Sequence, residues 1–297
     1  MLVCLLPGSV NLLHTVAFNL PQKAGDKQND SVLRIMTWNV QDFVNLTKKS
    51  DVRAKMLHII AQKKPDILCL QEFTDIEGSK RKVSVRKELD SLGYAYCFFS
   101  NDQVIVKKND AVTIRGSAIF SKHPFTDSGR INIRNDDKYE NLIYAGINVN
   151  GKSLRIYTTH LASFELYGDT TNVNKDVYEI TYDRKRAIQY KLREIEQLHQ
   201  EEAKIIHREM SKTSLPVVYC GDMNAVPSSY TYHLLKNNLQ DAFLEKGAGI
   251  GATFYKILPM LRIDYCLADK RLKIISCTVI DQKLSDHYPV ITDMQWK

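Results

Sequence analysis

The stretch "LPVVYCGDMN", residues 215–224, is an apolar run that ends abruptly in polar side chains. Its β-branched and aromatic residues predict a buried strand. Asp222 and Asn224 follow at the point where this strand enters a loop. Taken alone, such residues are most often turn or cap residues. Their importance therefore depends on whether other strands end in the same way.

Polar residues also lie at or within five further strands predicted along the chain. Polar side chains follow or interrupt "VLRIMTW" (32–38), "PDILCLQ" (65–71), "SLRIYTT" (153–159) and "RIDYCLA" (262–268), and two more precede "YPVITDM" (288–294). These residues are Asn39, Glu72, His160, Asp264, Asp286 and His287. Burying so many polar groups separately is costly. We therefore expect them, with Asp222 and Asn224, to converge on one site.

The remaining pattern is that of a mixed domain of strands and helices. Further strands are predicted at "YAYCFFS" (94–100), "GSAIFSK" (116–122) and "LIYAGINV" (142–149). Apolar periodicity predicts helices over residues 51–62, 182–209 and 228–237, the last opened by a serine cap. The dipeptide Asn150-Gly151 predicts a hairpin and therefore antiparallel pairing.

Composition limits the classes of protein to be considered. A chain of 297 residues with 44% hydrophobic content can bury a large core. The formal charge of +7 favours phosphate-bearing partners, although the basic residues are spread along the chain. Six cysteines show no CxxC spacing and three lie in apolar runs, so neither a disulfide framework nor a zinc site is expected.

The first thirty residues differ from the rest. Residues 1–20 are apolar but interrupted by Pro7, Asn11 and His14, and they have no basic start, so they match neither a secretory signal nor a spanning helix. A polar linker follows. We expect residues 1–30 to be a lead segment and residues 31–297 the catalytic domain. A damaged signal, a membrane-surface anchor and the end of a longer membrane region remain open.

The polar set suits metal-assisted hydrolysis of a phosphate ester. A hard cation such as Mg²⁺, with Mn²⁺ as a substitute, prefers oxygen ligands, which Glu72 and Asp286 supply. Asn39 would be a neutral ligand or an orienting group. The metal polarises a phosphoryl oxygen and stabilises the leaving alkoxide.

The attacking water needs a base, and an imidazole of ordinary pKa accepts a proton at neutral pH. We expect His287 to be that base, with Asp264 holding its tautomer. Asp222 and Asn224 would hold the water and the phosphate, and His160 would stabilise charge on the phosphoryl oxygens.

Six short motifs, in order, resemble those of the endonuclease/exonuclease/phosphatase superfamily with the DNase I-like fold. They are "MTWNV" (36–40), "LQEF" (70–73), "TTHL" (158–161), "CGDMN" (220–224), "RIDY" (262–265) and "SDHYPV" (285–290). The resemblance spans about residues 32–297. It implies an α+β fold, a four-layer α/β/β/α sandwich with two mainly antiparallel sheets, and one metal-dependent phosphoesterase cleft.

By this resemblance, Asn39, Glu72 and Asp286 fall on metal-site positions, while Asp264 and His287 match the carboxylate and imidazole dyad. His160 speaks against abasic-site repair. Gln41 stands where some relatives have an aspartate, which favours a single metal ion. Further stretches, such as "AIFSKHP" (118–124) and "SSYTYHLLKNNLQDAF" (228–243), resemble a bacterial branch of the family that often carries an N-terminal membrane region. Membrane-associated or exported placement is therefore favoured over cytoplasmic.

The substrate is a phosphate ester whose identity stays open among nucleic acid, a phospholipid headgroup and a small phosphodiester. A phosphomonoesterase and a catalytically idle phosphate-binding module are the alternatives. Residues 161–183 directly follow His160 in the chain, and we predict that they shape the cleft and set specificity. A monomer is favoured.

Overall fold

The protein is described from a computed structural model, which covers residues 15–20, 27, 31–45, 50–78, 84–106, 112–134, 141–163, 182–256 and 261–297. The strands are β1 (Ala17–Phe18), β2 (Leu33–Asn39), β3 (Ile67–Glu77), β4 (Tyr96–Phe99), β5 (Gln103–Val106), β6 (Val112–Ser121), β7 (Phe125–Ile131), β8 (Leu142–Val149), β9 (Lys152–His160), β10 (Val217–Asp222), β11 (Gln240–Asp241), β12 (Ala248–Gly249), β13 (Asp264–Ala268), β14 (Leu272–Val279) and β15 (Val290–Trp296). The helices are α1 (Gln41–Asn45), α2 (Ser50–Lys63), α3 (Val85–Ser91), α4 (Tyr182–Met210), α5 (Tyr230–Lys236) and α6 (Ala242–Lys246).

Two large sheets form the centre of the fold. One has six strands in the order β11-β13-β10-β9-β8-β7, and the other has the order β14-β15-β2-β3-β6-β4, with β5 also paired to β6. Each sheet contains one parallel pair, β9 with β10 and β2 with β3, and the remaining pairs are antiparallel. The expected pair of mainly antiparallel sheets is confirmed.

Three buried clusters separate four layers. The central cluster joins the inner faces of the sheets through residues such as Ile35, Ile67, Ile156 and Val218. A second cluster packs α2 and α3 on the outer face of the seven-stranded sheet, and a third packs α4 and α5 on the outer face of the other sheet. This is the expected α/β/β/α sandwich, and it is produced by strands whose two faces are both apolar.

Side-chain alternation decides where the polar strand ends point. In β10, Val218 and Cys220 face the central cluster, whereas Val217 and Tyr219 face the helices. Because alternate residues of a strand share a face, Asp222 continues the inward-facing series. The same alternation directs Asn39, His160 and Asp264 toward the space between the sheets.

Several local predictions are confirmed. Asn150 and Gly151 have left-handed φ angles of 52° and 83° and join β8 to β9 as an antiparallel hairpin. Ser229 caps α5 by accepting a hydrogen bond from the N–H of Tyr232 at 3.1 Å. The long helix begins at residue 182 as predicted and ends at Met210. Cys69, Cys220 and Cys266 are buried, free thiols.

Part of the predicted lead segment contacts the domain. Ala17 and Phe18 pair with Gly249 and Ala248, and the Ala17 side chain lies in the central cluster. Lys27 donates to Asp66 at 2.9 Å. The boundary at residue 30 remains a prediction. Within the part of the chain that the structure describes, no helix is both long and apolar enough to cross a membrane.

Candidate active site

Three polar residues stand in one row across three adjacent strands of the six-stranded sheet. Asp222 of β10 is the register partner of His160 on the parallel strand β9 and of Asp264 on the antiparallel strand β13. Gly221 permits this close arrangement, since its φ is +155° and an added Cβ would lie 2.3 Å from the Thr159 carbonyl oxygen. Backbone pairing therefore fixes the spacing of the three side chains.

The seven-stranded sheet contributes Asn39 and Glu72. Asn39 is the register partner of Gln71, and a bulge between Leu70 and Phe73 gives β3 one extra residue. Glu72 sits in this bulge with a left-handed φ of 48°. Its Oε1 accepts from Asn39 Nδ2 at 3.0 Å, and the same nitrogen donates to Asp222 Oδ2 at 3.2 Å. One amide thus joins a carboxylate from each sheet.

His287 is held from both sides and by its own backbone. Its Nδ1 lies 2.8 Å from Asp264 Oδ2, and its Nε2 lies 3.5 Å from Asp222 Oδ2. Trp38 donates its indole N–H to the His287 carbonyl at 3.0 Å. Thr253, fully buried, accepts at Oγ1 from the N–H of Asp264 at 3.1 Å. Together these contacts fix the orientation of the imidazole.

Asp286 and Asn224 complete the predicted set. Asp286 Oδ2 accepts from Gln41 Nε2 at 2.9 Å and from Lys256 Nζ at 3.2 Å. Asn224 donates its side-chain amide to the Leu161 carbonyl at 2.9 Å, and its backbone N–H donates to Asp222 Oδ1 at 2.8 Å. His160 Nε2 lies 3.6 Å from Asp222 and 3.8 Å from Glu72. His160 and Asn224 therefore contact Asp222 directly, whereas Asp286 is held by Gln41 and Lys256.

The charges at the site alter its titration. Burial opposes the charged form of His287, but Asp264 and Asp222 outweigh it and raise its pKa to about 9. Burial raises the pKa of Asp222, against the opposing effect of His287. The premise of an ordinary imidazole pKa at His287 is therefore wrong. Because Asp222 and His287 interact strongly, they titrate as a coupled pair.

The donor set fits a hard divalent cation. Glu72 and Asp286 offer carboxylate oxygens, and the Glu72 side chain is 36% exposed, which leaves room for the waters that Mg²⁺ retains. Asp222, Asp264 and His287 also lie close enough together to hold an ion. Their buried contacts instead orient the imidazole, and a nitrogen ligand is a poor choice for Mg²⁺.

Several supporting residues were not placed by sequence reasoning. Arg262 donates to Asp241 at 2.7 Å in a buried ion pair. The sequence offers no partners for His58, His199, His207 and His233, which predicts that they are surface residues. His58 and His233 are exposed and His207 is half-buried, but His199 is completely buried. Position 199 lies on the apolar face of α4, and the helical periodicity of that face is the signal that predicts a buried side chain there. The proposed specificity segment 161–183 lies largely outside the described residues.

A model of the Endonuclease/Exonuclease/phosphatase family matches residues 36–287, which is most of the chain. The chain belongs to this family. Membership in the Endonuclease/Exonuclease/phosphatase family makes it a phosphoric-ester hydrolase at the level of the family, whose members are typically dependent on divalent metals. No curated protein matches the chain.

Solved structures share the fold of this Endonuclease/Exonuclease/phosphatase chain at low sequence identity. An endonuclease/exonuclease/phosphatase from Beutenbergia cavernae has a TM-score of 0.63 at 20% identity over 90% of this chain and 72% of that one. The human Nocturnin catalytic domain with bound sulfate gives 0.62 at 20% identity over 91% and 95%. TDP2 from D. rerio, complexed with a single-strand DNA product, gives 0.57 at 17% identity over 89% and 99%. The predicted fold and family are confirmed.

Proposed function

We propose that residues 31–297 form a Mg²⁺-dependent phosphodiesterase that hydrolyses its substrate by in-line attack of an activated water. The observation that carries this proposal is the position of Asn39, whose amide nitrogen contacts both Glu72 and Asp222. The carboxylate of Glu72, which is suited to bind a cation, therefore lies near the carboxylate of Asp222, which is suited to transfer a proton. Such a pair is what a metal-assisted displacement at phosphorus requires.

The proton of the attacking water passes to the Asp222–His287 pair. His287 Nδ1 is committed to Asp264, so only Nε2, which faces Asp222, is directed to the reacting groups. Asp264 orients the ring of His287 and stabilises its imidazolium form. The pair can hold the proton on either member, which is why the raised pKa of His287 is compatible with its part in activating the water.

The other side of the site faces the phosphoryl group. His160 lies next to both Asp222 and Glu72 and is suited to stabilise negative charge that develops on the phosphoryl oxygens. Asn224 fixes Asp222 through its backbone N–H. Asn39 donates its amide to two carboxylates, so its role is to orient them.

Glu72 and Asp286 are the residues that would hold Mg²⁺, with Mn²⁺ as a substitute. When bound, the ion would polarise a phosphoryl oxygen and stabilise the leaving alkoxide. Gln41 donates an amide to Asp286 and adds no negative charge, which supports one ion in preference to two. We propose a monomer that acts on a phosphate ester; the predicted membrane contact of the N-terminus also remains a proposal.

Hydrolysis of bis-p-nitrophenyl phosphate and of p-nitrophenyl phosphate tests the proposal. We expect cleavage of the diester with Mg²⁺ or Mn²⁺, its loss with chelator, and its recovery when the ion is returned. Preference for the monoester would replace the diesterase by a phosphomonoesterase with the same site. No cleavage of either ester, or of DNA, RNA and phospholipid, would contradict catalysis and leave a phosphate-binding module.

A further inference from the structure

Strand β9 ends at His160, and the backbone of the next two residues is held by other hydrogen bonds. Leu161 and Ala162 are buried, so their main-chain polar groups need partners. The Leu161 N–H donates to the Asp222 carbonyl at 3.0 Å, and the Leu161 carbonyl accepts from Asn224 Nδ2 at 2.9 Å. The segment that carries His160 is therefore tied on one side to residues of the site itself.

Helix α4 supplies the partners of Ala162. Glu202 Oε2 accepts from the Ala162 N–H at 3.4 Å, and His199 Nε2 donates to the Ala162 carbonyl at 2.6 Å. His199 and Glu202 are three residues apart, so they lie on the same face of the helix. Both are completely buried. Two side chains thus hold both polar groups of one residue, two positions after His160.

This arrangement interrupts an otherwise apolar contact. The same face of α4 packs Ala203, Ile206 and Met210 against the six-stranded sheet. Burying a carboxylate and an imidazole at the end of that face costs free energy unless both are paired. Arg134 supplies the ion pair for Glu202, with both side chains almost fully buried.

Titration of the two groups agrees with this geometry. Burial is the main influence on both pKa values, lowering that of His199 to about 4 and raising that of Glu202. His199 is therefore neutral at working pH, with the proton on the nitrogen that donates to Ala162. His160 is a minor influence on both pKa values, which agrees with a position near the two groups.

We propose that His199 and Glu202 are positioning residues that hold the Leu161–Ala162 backbone and thereby fix His160 against the phosphoryl group. The inference rests on the proposed function of His160. It adds a part of the outer helical layer to the site. A purely structural role would require only that the buried polar groups be satisfied, and it would not couple them to His160.

Kinetics of diester hydrolysis by the full chain test the proposal. We expect His199→Ala and Glu202→Ala to lower kcat by about 10- to 100-fold with KM changed less than threefold, because the interaction with His160 strengthens in the transition state. His199→Gln keeps a donor of similar reach and should retain most of kcat. Glu201→Ala, one position away on the exposed face of α4, is the matched control and should behave as the wild type.

A double-mutant cycle separates positioning from general stability. In the background of His160→Ala, the further change His199→Ala should lower kcat less than twofold, because its effect passes through the missing imidazole. Multiplicative losses in the double variant would overturn the proposal, as would an unchanged kcat in folded single variants. If an alanine variant fails to fold, His199→Asn and Glu202→Asp shorten the reach while keeping polar groups, and the same outcomes apply.

Nuclear magnetic resonance of the His160 ring gives a readout that does not depend on turnover. His199→Ala should move the ¹⁵N signals of His160, whereas Glu201→Ala should leave them in place. Unmoved signals would contradict the positioning role. If the wild type hydrolyses no ester while these signals still move, the proposed function fails and the structural coupling of α4 to His160 stands.

Discussion

Asp264 Oδ2 lies 2.8 Å from His287 Nδ1, and both residues are buried. Asp264 begins β13 in the six-stranded sheet, whereas His287 leads into β15 of the other sheet. The hydrogen bond therefore crosses from one sheet to the other. Any change that separates the sheets by even an ångström would break it.

Replacing either partner of this hydrogen bond should abolish most turnover. We expect Asp264→Asn and His287→Gln each to lower kcat by about 100- to 10,000-fold, since the correct tautomer or the proton acceptor is lost. Steady-state kinetics on the diester, with circular dichroism to verify folding, measures this. His58→Gln, on the exposed side of α2, should leave kcat unchanged. Near-normal kcat in His287→Gln would remove His287 from proton transfer.

The metal-free protein should lose stability as the pH rises through 9. The folded pKa of His287 is raised to about 9, above the usual unfolded value of about 6.5. The stabilisation is therefore fully present below about pH 6.5 and disappears as pH passes about 9, a change on the order of 3 kcal/mol. Urea unfolding between pH 6 and 10 in chelator measures it.

The same titration in His287→Gln is the control for this pH dependence. The variant should have a flatter profile over the interval, since the glutamine has no proton to lose. A wild-type profile identical to that of the variant would contradict the link between His287 and stability.

Glu72→Gln should weaken metal binding. Loss of the carboxylate removes the charge that we assign as the chief metal ligand, and we expect half-maximal activity to need about 10- to 100-fold more Mg²⁺. Mg²⁺ should also raise the melting temperature of the wild type more than that of the variant, because ligand binding stabilises the folded state. Glu77→Gln, at the exposed end of the same strand, is the control. Equal Mg²⁺ responses of all three proteins would exclude Glu72 as a ligand.

Gly221→Ala should disturb the site through the backbone. The new Cβ would lie 2.3 Å from the Thr159 carbonyl oxygen, so β9 and β10 must separate beside Asp222. We expect a loss of about 2–4 kcal/mol in the free energy of unfolding. Gly151→Ala meets no atom within 4 Å and should cost only about 1 kcal/mol for its left-handed φ. Chemical denaturation of both variants measures the difference; equal losses would contradict the clash.

Sequence alone predicted the parts of the fold that have a strong periodic signal. The two-faced apolar strands β2, β3, β9 and β10 and the long helix α4 follow from their residue patterns. The polar residues at their ends were recognised because each interrupts an apolar run. Order along the chain, and not any single motif, linked them to one family.

Elements with weaker patterns were not predicted. β7 is an edge strand with mostly exposed and polar residues, so it shows no apolar alternation. A register shift between Ile274 and Ser276 interrupts the alternation of β14. His199 and Glu202 act on Ala162, which is distant in sequence, so no local pattern connects them. Contacts between layers join residues that are far apart in sequence, so local residue patterns do not predict them.

The division of the site between the two sheets also determines when activity can arise during synthesis. β15 follows His287 and pairs with β2, which was made far earlier in the chain. His287 cannot reach Asp264 until β15 has left the ribosome and closed the seven-stranded sheet. We therefore expect a nascent chain that ends before β15 to lack the proposed phosphoesterase activity, so that the first turnover would report the docking of the two sheets.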